Sequence, residues 1–137
     1  MNAITYKTLY RQYIEEMWHQ HNLDAATTFF DADYVDHAAP PMQPPGIDGA
    51  KFIIGYFLDA FPDVQIHLDD MIVEDDKLVA RLSSHGTHQG DFFGLPPTHK
   101  EFQNTGIHIV RFRGDKMIEH WANNDDLGLL RQIGAVA

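Results

Sequence analysis

The feature that most limits how this chain can fold is a change of hydrophobic period at Pro62. Before it, apolar residues recur every three or four positions; after it, they follow a strand-like pattern. Tyr6, Leu9, Tyr10, Tyr13, Ile14, Met17, Trp18 and His21 share one helical face and predict an amphipathic helix of about four to five turns. Asn22 can cap a second, short helix through Ala25, Ala26, Phe29 and Phe30. The segment from Asp36 to Gly46 holds four of the seven prolines and must be a loop, because proline breaks helix and ladder alike. Asp48 opens a third helix with Phe52, Ile53, Tyr56, Phe57, Ala60 and Phe61 on its apolar side, and Pro62 ends it.

Four strands are expected after the change, over Val64 to Glu74, Leu78 to His88, Glu101 to Phe112 and Met117 to Asn124. Asp75-Asp76 and Gly114-Asp115 supply turns between neighbours. Gly90 to Thr98 reads as a loop carrying Phe92 and Phe93. A last short helix covers Leu127 to Ile133 and stops at Gly134. Helices first and antiparallel strands after is an α+β order, in which helices cover one face of a curved sheet. At 137 residues the chain is one domain, 1–137, large enough to bury roughly two-thirds of its unfolded surface.

Charge and composition remove several classes of function. A net charge of −10 repels phosphate backbones and anionic headgroups, which argues against nucleic acid and membrane as partners. The chain has no cysteine, so disulfides, thiolate metal sites and thiol nucleophiles are excluded. The N-terminal residues lack the pattern of a signal peptide and no apolar run reaches bilayer length, so a cytoplasmic protein is expected. None of the nine histidines falls in a chelating spacing: His85 and His88 point to opposite faces of a strand, and His19 and His21 do not face each other on a helix. Neither a metal nor a cofactor is expected, and no phosphate-binding glycine loop or serine elbow is present.

The last strand carries the candidate chemistry. With regular alternation, Trp121, Asn123 and Asp125 share a face, which sets a carboxylate beside a large apolar ring. Such surroundings raise an aspartate pKa and suit it to proton transfer near neutral pH. Equally, Asp125 can cap the helix that begins near Asp126, and a one-residue bulge would exchange the two aspartates. His37, where the second helix runs into the proline-rich loop, can orient a substrate oxygen, pair with a pocket carboxylate or bond the loop backbone. His88 and His108 lie on neighbouring strands, and one of them can face a cavity; His120, opposite Trp121, is expected outward or under a helix. Phe92 and Phe93 can form an apolar lid or an interface contact. Apolar residues at both parities of Leu78–Leu82 and Glu101–Phe112 point to a homodimer across the outer face of the sheet.

Three blocks carry a wider likeness: Asp36-His37 with the proline-rich loop and Ala60-Phe61-Pro62-Asp63; Gly86-Thr87-His88-Gln89-Gly90 running to Gly94-Leu95-Pro96-Pro97-Thr98; and Glu119-His120-Trp121 with Asp125 and Leu127-Gly128-Leu129-Leu130-Arg131-Gln132-Ile133-Gly134. In content, order and spacing the chain resembles the SnoaL-like polyketide cyclase, or ester cyclase, family of the nuclear transport factor two-like superfamily. The resemblance implies a cone-shaped α+β barrel, three N-terminal helices packed on a strongly curved antiparallel sheet. It also implies metal-free acid/base chemistry on a small carbonyl compound, an intramolecular aldol closure in the characterised members. By motif position it places the acid/base on Asp125; a neighbouring donor such as His37, Asn123 or a cavity histidine would stabilise the oxygen on which charge develops. Trp121, Asn123, His88, His108, Phe92 and Phe93 are then the candidate substrate contacts. Ala122, Asn123 and Asn124 stand where many relatives are bulky and apolar, which implies a more polar pocket. A hydrolase or dehydratase using the same pocket, or a non-catalytic ligand-binding protein, are the alternatives.

Overall fold

The computed structural model describes all residues from Met1 to Ala137. Helix α1 (Ala3–Tyr13) starts at Asn2, whose side chain accepts the Thr5 N–H at 2.9 Å. Past Tyr13 the helix widens into a π turn over Ile14–His19, closed by a 2.9 Å bond from Gln20 N–H to Glu15 O. The wider turn stacks residues five apart, so Trp18 Nε1 donates to the Tyr13 hydroxyl at 2.9 Å.

A tight turn at Leu23–Ala25 and the single-turn α2 (Ala26–Phe29) follow, and the chain then enters strand β1 (Phe30–Asp36). The expected second helix therefore stops short of Phe30, and a strand occupies residues expected to lie outside the sheet. Phe30 and Tyr34 are buried, while Asp31 and Asp33 grip Arg113 Nη2 at 2.6 and 2.8 Å. These two aspartates are the partners of a guanidinium on another strand.

After the loop, α3 (Gly46–Ala60) crosses the sheet. A Cβ at Gly49 would lie 1.8 Å from the Pro44 oxygen, so only glycine lets the loop press against this helix. Strands β2 (Gln65–Glu74), β3 (Lys77–Thr87), β4 (Glu101–Arg113) and β5 (Lys116–Asn124) are antiparallel neighbours. The sheet order is β1-β5-β4-β3-β2, and β1 runs parallel to β5. The sheet is thus mixed rather than wholly antiparallel, and it is open, because edge strands β1 and β2 do not pair.

Helix α4 (Asp126–Ile133) closes one end and stops at Gly134, whose φ of 88° suits glycine. The helices cover one face of the sheet, burying Met17, Phe61, Leu78, Met117 and Ile133 between the layers. No helix is long and apolar enough to cross a membrane.

Candidate active site

The packing of helices on sheet leaves a cavity of about 180 Å³. Eighteen of its 25 lining residues are hydrophobic, so the few polar groups that reach it stand out. They come chiefly from even-numbered positions of β4 and β5: Asn104, His108, His120 and Asn124, joined by Ser84 of β3, Asp36 of β1 and Asp126 of α4.

Four of these groups form one hydrogen-bonded chain. Asp36 Oδ1 meets His120 Nδ1, His120 Nε2 meets His108 Nδ1, and His108 Nε2 meets Asn124 Oδ1, each at 2.9 Å. Both ends of the chain are acceptors, so three bonds need three ring protons, and two imidazoles carry three only when one of them is protonated. Burial and then the neighbouring charge of His120 depress His108 to a pKa of about 4, which keeps the buried His108 ring neutral near neutral pH. With the Asn124 amide turned over, it would donate to His108 and two ring protons would suffice. Burial pushes the Asp36 carboxyl up, but the hydrogen bond and charge of His120 outweigh it and hold the group below the usual carboxylate range. Gln43 Nε2 and Ala38 N–H, both from the proline-rich loop, each donate to Asp36 at 3.0 Å. That loop therefore fixes the chain's charged end.

At the other end, the backbone makes room for Asn124. A Cβ at Gly106, its partner across β4 and β5, would sit 2.0 Å from Asn124 Oδ1. Asn124 and Asp126 are exposed and stand at the rim. Partial burial, then the charge of Asp125, raises the Asp126 carboxyl above its ordinary value. The buried Tyr10 and Tyr34 phenols are pushed up by burial, and Tyr13 reaches about 12 mainly for the same reason, so these walls hold neutral hydroxyls.

The alternation expected along β5 is present, but its sense is reversed. Trp121 and Asn123 face outward, and His120, Ala122 and Asn124 face inward, as their pairing with Val110, His108 and Gly106 requires. Asp125 is the N-cap of α4, accepting the Gly128 N–H at 3.0 Å, and Asp126 takes the cavity side. Trp121 stacks on the His37 ring at 4.8 Å, and His37 Nε2 lies 2.9 Å from Glu119 on the outer surface. His88 is fully buried against Phe61 and accepts the Thr98 N–H, away from the cavity. Phe92 packs behind Phe57 and Phe61 as core, and exposed Phe93 rests on Tyr56; neither covers the rim.

Of the expected contacts, only His108 lines the cavity. Sequence reasoning missed Asp36, His120, Asn124, Ser84 and Asn104 as cavity groups. The shared parity of His108, His120 and Asn124 was the available signal, and the bulk of Trp121 pointed the other way.

Comparison with known proteins identifies relatives of this chain in sequence and in fold. The family profile described as SnoaL-like polyketide cyclase matches residues 7–133. The aklanonic acid methyl ester cyclase DnrD of Streptomyces peucetius is 26% identical over 123 residues, which span 87% of this chain and 84% of that protein. The nogalonic acid methyl ester cyclase of Streptomyces nogalater is 36% identical over 55 residues, 40% of this chain and 41% of that one. Among solved structures, TsrD from Streptomyces laurentii superposes with a TM-score of 0.90 at 26% identity, covering 99% of both chains.

Proposed function

The chain belongs to the SnoaL-like polyketide cyclase family, and from that premise we propose that it carries out cofactor-independent acid/base chemistry on a small carbonyl compound, of the ring-closing aldol type. The observation that carries this reading is the pairing, at one cavity rim, of a carboxyl with a raised pKa and an amide backed by a hydrogen-bond chain that ends on the Asp36 carboxyl. Asp126 takes the proton from the activated carbon. A raised pKa favours this, because a base works best when its pKa approaches the working pH.

Negative charge then develops on the carbonyl oxygen. The Asn124 amide N–H donates to that oxygen, while its own oxygen accepts from His108. His108 in turn meets His120, and His120 meets Asp36, so the chain holds the Asn124 oxygen and aims its N–H at the rim. The enolate attacks a second carbonyl of the same molecule, and Asp126 returns the proton to the new alkoxide. The apolar walls on the cavity side of Asn124 and Asp126 lower the local dielectric and strengthen the charged interactions made there. The raised Asp126 carboxyl favours this reading over a protein that only holds a ligand. We further propose that the protein acts as a homodimer joined through the outer face of the sheet.

The test is deuterium wash-in at the acidic carbon of a hydroxyphenyl 1,6-diketone, a single-ring compound able to close a ring by aldol addition, in heavy water, followed by mass spectrometry with ring closure. Asp126→Asn should slow both about a hundredfold or more while leaving the melting temperature nearly unchanged. An Asp126→Asn protein that exchanges and cyclises at the parent rate would remove Asp126 from this role.

A further inference from the structure

Two properties of the cavity bear on what it holds. The first is size. At about 180 Å³ it falls below the roughly 300 to 1,000 Å³ of drug-sized sites and just above the roughly 150 Å³ that accommodates benzene. Its walls include the flat rings of Trp18, Phe57, Phe61 and Phe102, which pack best on another flat ring. The second is an unmatched acceptor. Asn104 Oδ1 is fully buried and has no hydrogen-bond partner within the protein. Asn104 lines the cavity next to Ser84, its partner across β3 and β4. Buried polar atoms are seldom left unpaired, because each costs the loss of its hydration.

We propose that the cavity binds a single-ring phenolic carbonyl compound whose hydroxyl donates to Asn104 Oδ1. The ring fills the aromatic slot, Ser84 lies beside the hydroxyl, and the carbonyl side chain extends toward Asn124 and Asp126. Asp125 N–H bonds Thr105 O at 3.0 Å, which brings the start of α4 to the same stretch of β4 as Asn104. The hydroxyl and carbonyl of one small ring can therefore reach both groups. The assignment of the carbonyl end rests on the acid/base reading above; the hydroxyl subsite and the size limit rest on the cavity alone.

The experiment is calorimetric titration of the purified protein with the three hydroxyacetophenone isomers, their methyl ethers, a hydroxynaphthyl methyl ketone and a hydroxyanthraquinone. The expected result is binding of at least one single-ring phenol, about tenfold tighter than its ether, with no binding of the three-ring compound. In Asn104→Leu the phenol and its ether should bind alike. Equal binding of phenol and ether by the parent protein overturns the subsite without recourse to any variant. Preference for the three-ring compound overturns the size limit. Turnover is not read in this titration, so selective binding without deuterium exchange would defeat the acid/base reading and leave the subsite standing.

Discussion

Asp125 and Asp126 are adjacent in sequence and do different work. Asp125 spends its side chain on the Gly128 N–H, the bond that starts α4, and Asp126 turns its carboxyl to the cavity. Asparagine caps a helix about as well as aspartate does, so Asp125→Asn should leave the melting temperature close to the parent and lower turnover only modestly, since it removes the smaller of the two causes that raise Asp126. Asp125→Ala should cost about 1 kcal/mol of stability, measured by urea unfolding, because the donor loses its partner. A large loss of turnover in a well-folded Asp125→Asn protein would shift the chemistry back to that residue. The capping function was legible in the sequence, from an aspartate just before an apolar helical run. Which aspartate enters the cavity was not, since that depends on the face β5 presents to its neighbours.

At the level of elements, the Asp36–His120–His108–Asn124 chain links β1, β5 and β4 across the inner face of the sheet. It also makes the sheet sensitive to acid. His108 in the fold has a pKa of about 4, against an ordinary value of 6.5. Between these values the unfolded chain binds the proton and the folded chain does not, so stability rises with pH through this window. Read downward, the contribution is intact above about pH 6.5, declines as the pH falls, and is gone below about 4, a loss on the order of 3 kcal/mol. Asp36, held low by His120, adds a loss in the same direction as the pH falls further. Thermal melts followed by circular dichroism should drop steadily from pH 6.5 to 4, with a shallower slope in His108→Gln. Parallel slopes in the two proteins would show that His108 does not carry the effect. Strand β1 itself was hidden in the sequence, because the second helix was expected to run into the proline-rich loop and the pairing of Asp31 and Asp33 with Arg113 lies some eighty residues away.

The whole molecule presents an outer sheet face that is not finished as a solvent surface. Ile72, Ile107 and Val35 are 61%, 50% and 48% exposed, alongside half-buried Val79, Ile109 and Trp121. Isolated exposed apolar residues are ordinary, but neighbours on adjacent strands form a patch of the kind that marks an interface. Sedimentation at micromolar concentration should show a dimer, and Ile107→Asp should give a folded monomer by setting an unpaired charge in the contact. A parent protein that sediments as a monomer would refute the interface.

The sequence alone determined the layer architecture, the bounds of all four antiparallel strands to within one residue, the short closing helix and the cap that starts it. Each of these is a local matter of period, turn chemistry or capping, and local patterns are written in consecutive residues. It also determined that the residues of β5 alternate between two surroundings, because pleating guarantees that. Only the tertiary structure decided which surroundings were inside. Trp121 is the larger apolar group, yet it stacks on His37 outside, while His120 and Asn124 turn inward to complete a chain whose other members come from β1 and β4. The sense of a strand is set by its register with its neighbours, and β1, which supplies Asp36, joins the sheet from more than eighty residues away. Nothing in a local window of sequence records that pairing, and the cavity's polar groups exist as a site only because of it.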